Sequence, residues 1–584
     1  MSDLDPFLLE VFRHSLDTIA DQMAVTLMHA AYSGIVRDSM DFSTAVCDRA
    51  GRTLAQGLTV PLHLGGFHDA MTRLIAEQRA AMAPGDVYIF NDPYAAGGQH
   101  LPDIYIIQPV FTAERLIAFA TTIAHHADVG GIVPGSNALG AREIFQEGLR
   151  LPILKFLDRG RPVQPVWDII ALNVRLPELV LGDLEAQVAA AATGGEELKE
   201  LWRRLGADRA DSCVEHLHDY AERLARAELA DMPDGTYRFS DHIEELGDDR
   251  GPVRLELALT IAGEQAVVDW TGSSAQVAGG INSVLPFTRA CSYTALRSVM
   301  AAEIPNCHGF TRPITTIAPP GTVMNPLPPG ACGARGVTGY RMIDCLMGAL
   351  AQAVPDRVTA DGNGGSTLPT IAGSEGARPF IFCETFMGTW GATSAHDGQE
   401  GVPHLGANQA NVSVEMIEAG YPLRIERYAL VPDSGGAGRH AGGMALRRDY
   451  RLLADAAMLQ VRSDKRSFPP HGLFGGGAGA PSLNVINPDD DNRVLPAMVV
   501  DPVVLRRNDL YVHVTAGGGG YGDPLQRPPE AVLRDVVQGR VSRQRAREAY
   551  GIVIADMQPP AIDADATTRQ RAALHARRDG TRSG

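Results

Sequence analysis

The sequence has little of what marks secreted, membrane-spanning or nucleic-acid-binding proteins. Its 584 residues include seven cysteines, an odd number with no C-x-x-C pair, which fits reduced thiols better than a disulfide framework. No apolar run reaches the roughly 20 residues of a membrane span, and the acidic start MSDLDPFLLE lacks the basic region of a secretory signal. The formal net charge of −17 argues against nucleic acid and anionic membranes as partners. We therefore expect a soluble protein of the cytoplasm.

Two common catalytic signatures are also missing. The chain has neither the G-x-x-x-x-G-K-[ST] loop of nucleotide-binding proteins nor a G-x-S-x-G nucleophile elbow. The glycine-rich segments DSGGAGR (433–439) and GGGGYGDP (517–524) lack the Lys-Ser/Thr pair that a phosphate-binding loop needs. For both segments we favour a tightly turned backbone that lies close to another part of the chain.

The pattern of apolar residues and breakers predicts a mixed α/β (α+β) chain of several regions. We expect an α/β region with a mixed sheet at 1–177, a helical segment at 178–232 and an α/β middle region at 233–355. A β-rich region with glycine loops follows at 356–527, and 528–584 holds C-terminal helices and a disordered tail. A glycine-rich break at 193–195 divides the helical segment into a pair of long helices.

The first region has the clearest local signals. Asp5 is placed to cap a helix that starts with Pro6 in its first turn and ends near Ser33-Gly34. A hairpin is expected at 42–56, with Asp48-Arg49-Ala50-Gly51 as its turn. A helix at 67–81 and three strands at 87–90, 104–111 and 116–123 complete a mixed α/β unit built around a sheet.

Three short segments near these strands carry residues that can bind metal. His100 and Asp103 lie in GGQHLPD (97–103), where glycines and a proline favour a tight loop that can point both side chains at one centre. AHHADVGG (124–131) follows an apolar strand, and in an extended chain its two histidines point to opposite sides. Asp41 immediately precedes the hairpin strand. Each segment alone is better explained as ordinary structure.

Taken together, the three segments predict a different kind of site. Two imidazoles and two carboxylates form a mixed nitrogen and oxygen set, which suits Zn²⁺, Mn²⁺ or Fe²⁺ better than Ca²⁺ or Mg²⁺. Strand ends and the loops beside them are a common place to mount such a site on a rigid scaffold. The residues alone do not decide which of the two adjacent histidines belongs to it.

An ordered set of motifs along nearly the whole chain resembles a known family. The chain resembles the B subunit of ATP-dependent hydantoinases and 5-oxoprolinases, and the related alpha subunit of acetone carboxylase. The segments that carry this resemblance are DRAG (48–51), NDPY (91–94), HLPD (100–103), HHADVGG (125–131), GGINS (279–283), RY (427–428), PDSGGAG (432–438) and GGGGYGDP (517–524).

The resemblance implies a catalytic metal and a partner. The metal ligands of the family carry over onto Asp41, His100, Asp103 and His125, and the family's spacing places the last ligand on His125 rather than on His126. His126 and Asp128 are then candidates for orienting a ligand or carrying a proton. A hydantoinase A-type subunit would bind ATP and phosphorylate the substrate, in a hetero-oligomer that we expect to be a heterotetramer.

The function that follows is ATP-dependent hydrolysis of a small cyclic amide, in which the B-type subunit opens a lactam or hydantoin ring. One alternative is the alpha subunit of an acetone- or aryl-ketone-type carboxylase, although the chain is short for that branch. A second alternative is a non-catalytic assembly partner of the ATPase subunit. The intact set of four ligand candidates argues against this last one, because a scaffold has no need of converging ligands.

Overall fold

A computed structural model describes residues 5–57, 60–63, 66–246, 251–363 and 367–582 of the chain. The fold is a mixed α/β arrangement of several sheets and helical layers, which confirms the predicted fold class. Within those ranges no helix combines the length and apolarity needed to cross a lipid bilayer. The boundaries of the five sequence regions stay a prediction, since the largest hydrophobic cluster runs through several of them.

The N-terminal region is built on one sheet of seven strands, and every strand pair is antiparallel, so the expectation of a mixed sheet at 1–177 is wrong. Its elements are α1 (Pro6–Ala30), α2 (Gly34–Arg37), β1 (Phe42–Asp48), β2 (Thr53–Gln56), α3 (Gly66–Gln78), β3 (Val87–Phe90), β4 (Asp103–Thr112), β5 (Arg115–His125), β6 (Leu154–Asp158), β7 (Arg161–Pro162) and α4 (Gln164–Asn173). The strand order is β2-β1-β5-β4-β3-β6-β7. The predicted hairpin and strands are confirmed, and Asp5 caps α1 by accepting a 3.0 Å hydrogen bond from the Phe7 N–H.

Two long helices, α5 (Pro177–Leu205) and α6 (Ala207–Ala230), form the helical segment. The break predicted at 193–195 is wrong, because α5 runs through those residues without interruption and the chain turns at Gly206 instead. The absence of a side chain at Gly194 lets α5 approach α1 closely, because a Cβ there would lie 2.3 Å from the Met23 Sδ atom of α1. Helix α5 therefore packs closely against α1 and against one face of the sheet, while α3 packs on the opposite face.

The middle region is a second, four-stranded sheet with two buried helices. Its elements are β8 (Gly235–Ile243), β9 (Val253–Ala262), β10 (Gln265–Asp269), α7 (Leu285–Ser298), α8 (His308–Thr311), β11 (Ile314–Ile317) and α9 (Gly336–Leu350), with the strand order β11-β10-β9-β8. Every residue of α9 is buried between α7 and the sheet. This helix can therefore present its first turn to the interior with little freedom to move.

The β-rich region contains two further sheets that share one hydrophobic core. Its elements are β12 (Leu368–Glu375), β13 (Arg378–Cys383), α10 (Val414–Gly420), β14 (Leu423–Leu430), β15 (Leu446–Leu452), β16 (Ala456–Arg462), β17 (Leu483–Ile486), β18 (Arg493–Leu495), β19 (Val503–Arg506) and β20 (Leu510–Val514). The sheet orders are β13-β12-β16-β19 and β14-β15-β20-β17-β18. The glycine loops interlock as expected: a Cβ on Gly518 would lie 2.2 Å from the carbonyl oxygen of Trp390.

The C-terminal residues correct one expectation. The predicted helices are present as α11 (Pro529–Val537) and α12 (Arg543–Tyr550), and a two-stranded pair follows, β21 (Ile554–Ala555) with β22 (Ala561–Ile562). The tail expected to be disordered forms α13 (Ala564–Arg582). Its alanines and arginines are strong helix formers. Asp563 caps it through the Ala566 N–H at 2.9 Å, and Arg571 docks it on the Arg527 carbonyl at 2.7 Å.

Candidate metal centre

Three of the four sequence candidates lie in one row across the sheet. Asp103 begins β4 and His125 ends β5, and the two are direct partners in the antiparallel register. Asp41 immediately precedes β1, and its carbonyl oxygen accepts the His125 N–H at 3.0 Å. The order β1-β5-β4 therefore places residues 41, 125 and 103 side by side at the same edge of the sheet.

The fourth candidate reaches this row from the loop before β4. His100 Nε2 lies 3.1 Å from Asp103 Oδ1, and the rings of His100 and His125 have centroids 5.1 Å apart. One ligand atom each from His100, Asp103 and His125 falls within 4.8 Å of the others. Asp41 lines the same small cavity of about 40 Å³, but its carboxylate is not part of that tighter group of three.

The orientation of His100 is fixed from behind. Its Nδ1 lies 2.9 Å from the carbonyl oxygen of Gly333, and a carbonyl can only accept, so Nδ1 carries the proton in the neutral ring. Gly333 is held in turn by Glu147, whose Oε1 accepts the N–H groups of Gly333 at 2.5 Å and Cys332 at 2.8 Å. The lone pair of His100 Nε2 therefore faces the carboxylate of Asp103, and no hydrogen-bond partner for Nε2 exists within the described residues.

Several side chains that the sequence analysis missed complete the cavity. Arg335, one residue before α9, donates from Nη2 to Asp103 Oδ2 at 2.5 Å, and its guanidinium lies 4.2 Å above the Phe287 ring. His63 Nε2 lies 3.5 Å from Asp103 Oδ2, while its Nδ1 contacts Ser43 Oγ at 2.6 Å. Tyr340 of α9, Gln409 and Arg462 also line the cavity. No spacing rule connects these residues to HLPD, because they are separated from it by up to several hundred positions.

The protonation states of the cluster leave lone pairs available to bind a metal ion. Burial and the nearby Arg335 lower the pKa of His100 to about 4, and burial together with His100 lowers the pKa of His125 well below its usual value. Burial alone would raise the pKa of Asp103, but His100 and Arg335 hold it well below the usual range. Burial and then repulsion from Asp103 raise the pKa of Asp41 to about 6. Neutral imidazoles and an ionised carboxylate thus converge with their lone pairs facing one another.

A divalent transition metal fits this donor set. Two imidazole nitrogens and one or two carboxylates match the ligand preferences of Zn²⁺, Mn²⁺ and Fe²⁺. His100 also has the arrangement usual for a metal-binding histidine, whose second ring nitrogen donates to a carbonyl that fixes the tautomer. His100 Nε2 and His125 Nδ1 are buried and have no hydrogen-bond partner among the described residues, so both are available to bind a metal ion.

The two remaining sequence candidates lie elsewhere. His126 Nε2 contacts the side chain of Gln187 in α5 at 2.9 Å, on the opposite face of the sheet from His125. Asp128 stabilises the loop after β5 by accepting hydrogen bonds from the Gly130 N–H at 3.0 Å and from the Arg175 side chain at 2.9 Å. Neither residue lines the cavity. The expectation that they orient a ligand or carry a proton at the centre therefore finds no contact in the structure, because strand alternation turns His126 away and Asp128 is engaged in loop contacts.

Comparisons with known proteins agree on one family. A family model described as hydantoinase B/oxoprolinase matches residues 5–524. The chain is 33% identical to a protein named as the putative B subunit of a D-/L-hydantoinase from Pseudomonas sp. (strain NS671), over 98% of each chain. The crystal structure of ATP-dependent caprolactamase from Pseudomonas jessenii superposes with a TM-score of 0.91 at 30% identity, covering 98% of this chain and 100% of that one.

A more distant structure shares the fold. The nucleotide-free structure of acetone carboxylase superposes with a TM-score of 0.89 over 99% of this chain and 84% of that one. The sequence identity is 20%, so the likeness concerns the fold alone.

Proposed function

The chain belongs to the hydantoinase B/oxoprolinase family, and from this premise we propose that it is the metal-holding B-type component of a two-component, ATP-dependent cyclic-amide hydrolase. Its named relatives are hydantoinase, caprolactamase and 5-oxoprolinase proteins, which fits a cyclic-amide hydrolase. We propose that this chain opens the ring of a small lactam or hydantoin in the cytoplasm.

The observation that carries the proposal is the convergence of His100, Asp103 and His125 on one buried point, with Asp41 beside it. We propose these four residues as the ligands of Zn²⁺, Mn²⁺ or Fe²⁺. A metal ion held there would polarise the C=O or C=N bond of the substrate, so that water attacks its carbon more readily.

The protein groups around the centre have separate tasks in this proposal. Arg335 keeps Asp103 ionised through their 2.5 Å contact. Gly333 keeps the His100 proton on Nδ1, so that Nε2 stays available as a ligand atom. The aromatic rings of Phe287 and Tyr340 line the cavity and limit the entry of bulk water. The small cavity volume of about 40 Å³ implies that side chains rearrange when substrate enters.

The activation of the substrate is assigned to a partner. Amide resonance makes lactam hydrolysis slow, and phosphorylation of the amide oxygen yields a better electrophile. The sequence lacks the G-x-x-x-x-G-K-[ST] motif, and the names of its relatives include a B subunit and a beta subunit, which imply a second component. We propose a hydantoinase A-type subunit that binds ATP and phosphorylates the substrate, in a heterotetramer with this chain.

Reconstitution tests the proposal. The chain would be co-expressed with an A-type subunit from the same genome and assayed on hydantoin, 5-oxoproline and caprolactam. Ring opening is expected only when both subunits, ATP and a divalent metal are present. Turnover by this chain alone would overturn the two-subunit assignment. If labelled bicarbonate is incorporated and no ring is opened, the function is carboxylation rather than hydrolysis. A purified chain that contains no metal would favour the assembly role.

A further inference from the structure

A second, larger cavity lies outside the candidate metal centre. It has a volume of about 400 Å³ and is bounded by β2, α3, α7 and the segment from Asn306 to Thr316. Its lining residues and those of the metal centre do not overlap among the described parts of the chain. Helix α7 separates the two, with Phe287 facing the metal cavity and Arg289 and Tyr293 facing this one. The volume is in the range of small-molecule sites.

Three residues that line this cavity carry buried polar atoms without a hydrogen-bond partner among the described residues. Gln56 is 8% exposed, yet neither its amide nitrogen nor its amide oxygen has a hydrogen-bond partner within the described residues. His68 Nδ1 and Thr316 Oγ1, which belong to two other lining residues, are buried and unpaired in the same way. Buried polar groups in folded proteins are nearly always hydrogen-bonded. Four such atoms belong to residues that line one cavity, and small side-chain movements would let a polar ligand there supply their partners.

The charged groups indicate the sign of that ligand. Arg312 donates from Nη1 to Asp219 at 3.1 Å and to Glu222 at 2.9 Å, and Arg289 donates from Nη1 to Asp69 at 2.7 Å. These contacts hold both guanidinium groups in place and leave their other N–H groups for a ligand. Two arginines and one aspartate line the cavity, while Asp219 and Glu222, the carboxylate partners of Arg312, do not line it, so the charged side chains that a ligand can reach are mainly cationic.

Two imidazoles add neutral hydrogen-bonding groups. The rings of His68 and His308 lie 4.5 Å apart at 31°, and both line the cavity. Burial lowers the pKa of His68, and burial together with His68 lowers the pKa of His308 to about 3. Near neutral pH both rings are therefore uncharged, and each offers one donor and one acceptor.

We propose that this cavity binds a small organic oxyanion, a carboxylate or a phosphate ester, with Arg289 and Arg312 holding the anionic oxygens and the Gln56 amide holding a second polar group. Guanidinium groups are well suited to oxyanions because they offer several N–H donors in one plane. A primary amide supplies both a donor and an acceptor, which suits a ligand with a neutral polar group beside its charge. Binding here needs neither metal, ATP nor a partner chain, so it stands apart from the proposed hydrolysis.

Calorimetric titration of the metal-free full chain tests the proposal. Inorganic phosphate and malonate would be titrated at constant ionic strength, with chloride as the reference anion. Saturable binding of at least one probe is expected. Phosphate alone would identify a phosphate-ester site, malonate alone a carboxylate site, and both a general oxyanion site. No saturable heat from either probe would overturn the proposal.

Two variants and a control sharpen the test. Arg312→Gln is expected to weaken binding at least about tenfold, since a charge-assisted hydrogen bond is lost. Arg357 also pairs with two carboxylates at or near the end of α6, Glu228 and Asp231, but lies outside the cavity, so Arg357→Gln should bind the probe as the wild type does. Equal affinity in Arg312→Gln and wild type would contradict the proposal.

The second variant, Gln56→Met, remains informative if Arg312→Gln does not fold. Methionine has a similar size and no amide, so the variant should bind the probe more weakly while its melting temperature without ligand stays equal or rises. Unchanged affinity in Gln56→Met would remove the Gln56 amide from the site. Because the titration uses metal-free protein, its outcome is independent of whether the reconstituted enzyme opens a ring.

Discussion

His125 and His126 are consecutive residues whose side chains lie on opposite faces of the seven-stranded sheet. His125 faces His100, with ring centroids 5.1 Å apart, while His126 contacts Gln187 in α5 at 2.9 Å. The alternation of side chains along a strand produces this separation. One histidine is therefore available to the candidate metal centre, and the other belongs to the packing between sheet and helix.

The pair allows a matched test of the metal site. We expect His125→Asn to weaken metal binding by more than the ~10–100-fold typical of losing an outer-shell partner, because a proposed direct ligand is removed. His126→Asn should keep its metal, since His126 does not line the cavity. Elemental analysis and competition with a chelator would measure both variants after their folding is checked by circular dichroism. The reverse order of effects would assign the ligand to His126.

Glu147 is expected to act on the metal through His100. Glu147 Oε1 accepts hydrogen bonds from the N–H groups of Cys332 and Gly333. The carbonyl oxygen of Gly333 in turn accepts the hydrogen bond from His100 Nδ1. Glu147→Gln keeps an acceptor oxygen and should bind metal almost as the wild type does. Glu147→Leu leaves two buried N–H groups without a partner and should weaken metal binding ~10–100-fold. A purely structural role would lower the melting temperature of Glu147→Leu but leave the metal affinity of its folded fraction unchanged.

The raised pKa of the Glu147 carboxyl group predicts that the free energy of unfolding depends on pH. Burial raises the pKa of Glu147 to about 8 in the folded chain, above its value near 4.3 when unfolded. The folded state then binds more protons than the unfolded state between these values. The protonated Glu147 carboxyl contributes stability that is fully present below the unfolded-state pKa of about 4.3. This stability is lost as pH rises through the folded-state pKa of about 8.

Urea denaturation of metal-free wild type and Glu147→Gln between about pH 5 and pH 8 would measure this effect. The free energy of unfolding of wild type should fall relative to the variant as pH rises, by at most about 1.4 kcal/mol per pH unit. The site histidines are unchanged in the variant, so the difference isolates position 147. A difference that does not change with pH would show that Glu147 titrates at an ordinary pKa.

Much of the N-terminal region could be predicted because its signals are local. A capped helix, a hairpin turn and apolar strands each depend on neighbouring residues, and once the strands are placed, the register brings Asp41, Asp103 and His125 into one row. The loop position of His100 followed from the glycines and the proline around it. The proposed role of these residues as ligands still rests on the family resemblance.

The rest of the site depends on packing between distant segments. Glu147 and Gly333 are 186 residues apart, and Arg335 reaches Asp103 across 232. Neither contact leaves a local pattern, because each depends on how the buried helix α9 docks beside the N-terminal sheet. The same reason explains the error at 193–195, where two glycines resemble a local break, but Gly195 faces Gln108 of β4 and Gly194 faces Met23 of α1.

That contact gives the last prediction. Gly→Ala inside a helix normally stabilises by ~1 kcal/mol, but a Cβ on Gly194 would lie 2.3 Å from Met23 Sδ and 2.7 Å from Met23 Cγ, and Met23 is fully buried. We expect Gly194→Ala to lower the free energy of unfolding by ~1–3 kcal/mol, as overpacking does. Gly420→Ala in α10 is the control, because nothing lies within 4 Å of its added Cβ.

A double-mutant cycle separates this clash from any general intolerance of alanine. Met23→Ala removes the atoms that the new methyl group would meet, so Gly194→Ala should be neutral or stabilising in that background. Chemical denaturation of the wild type, both single variants and the double variant gives the coupling energy. A coupling near zero would show that the effect of Gly194→Ala does not arise from contact with Met23. The close approach of Gly194 to Met23 would then not be the reason for a glycine at position 194.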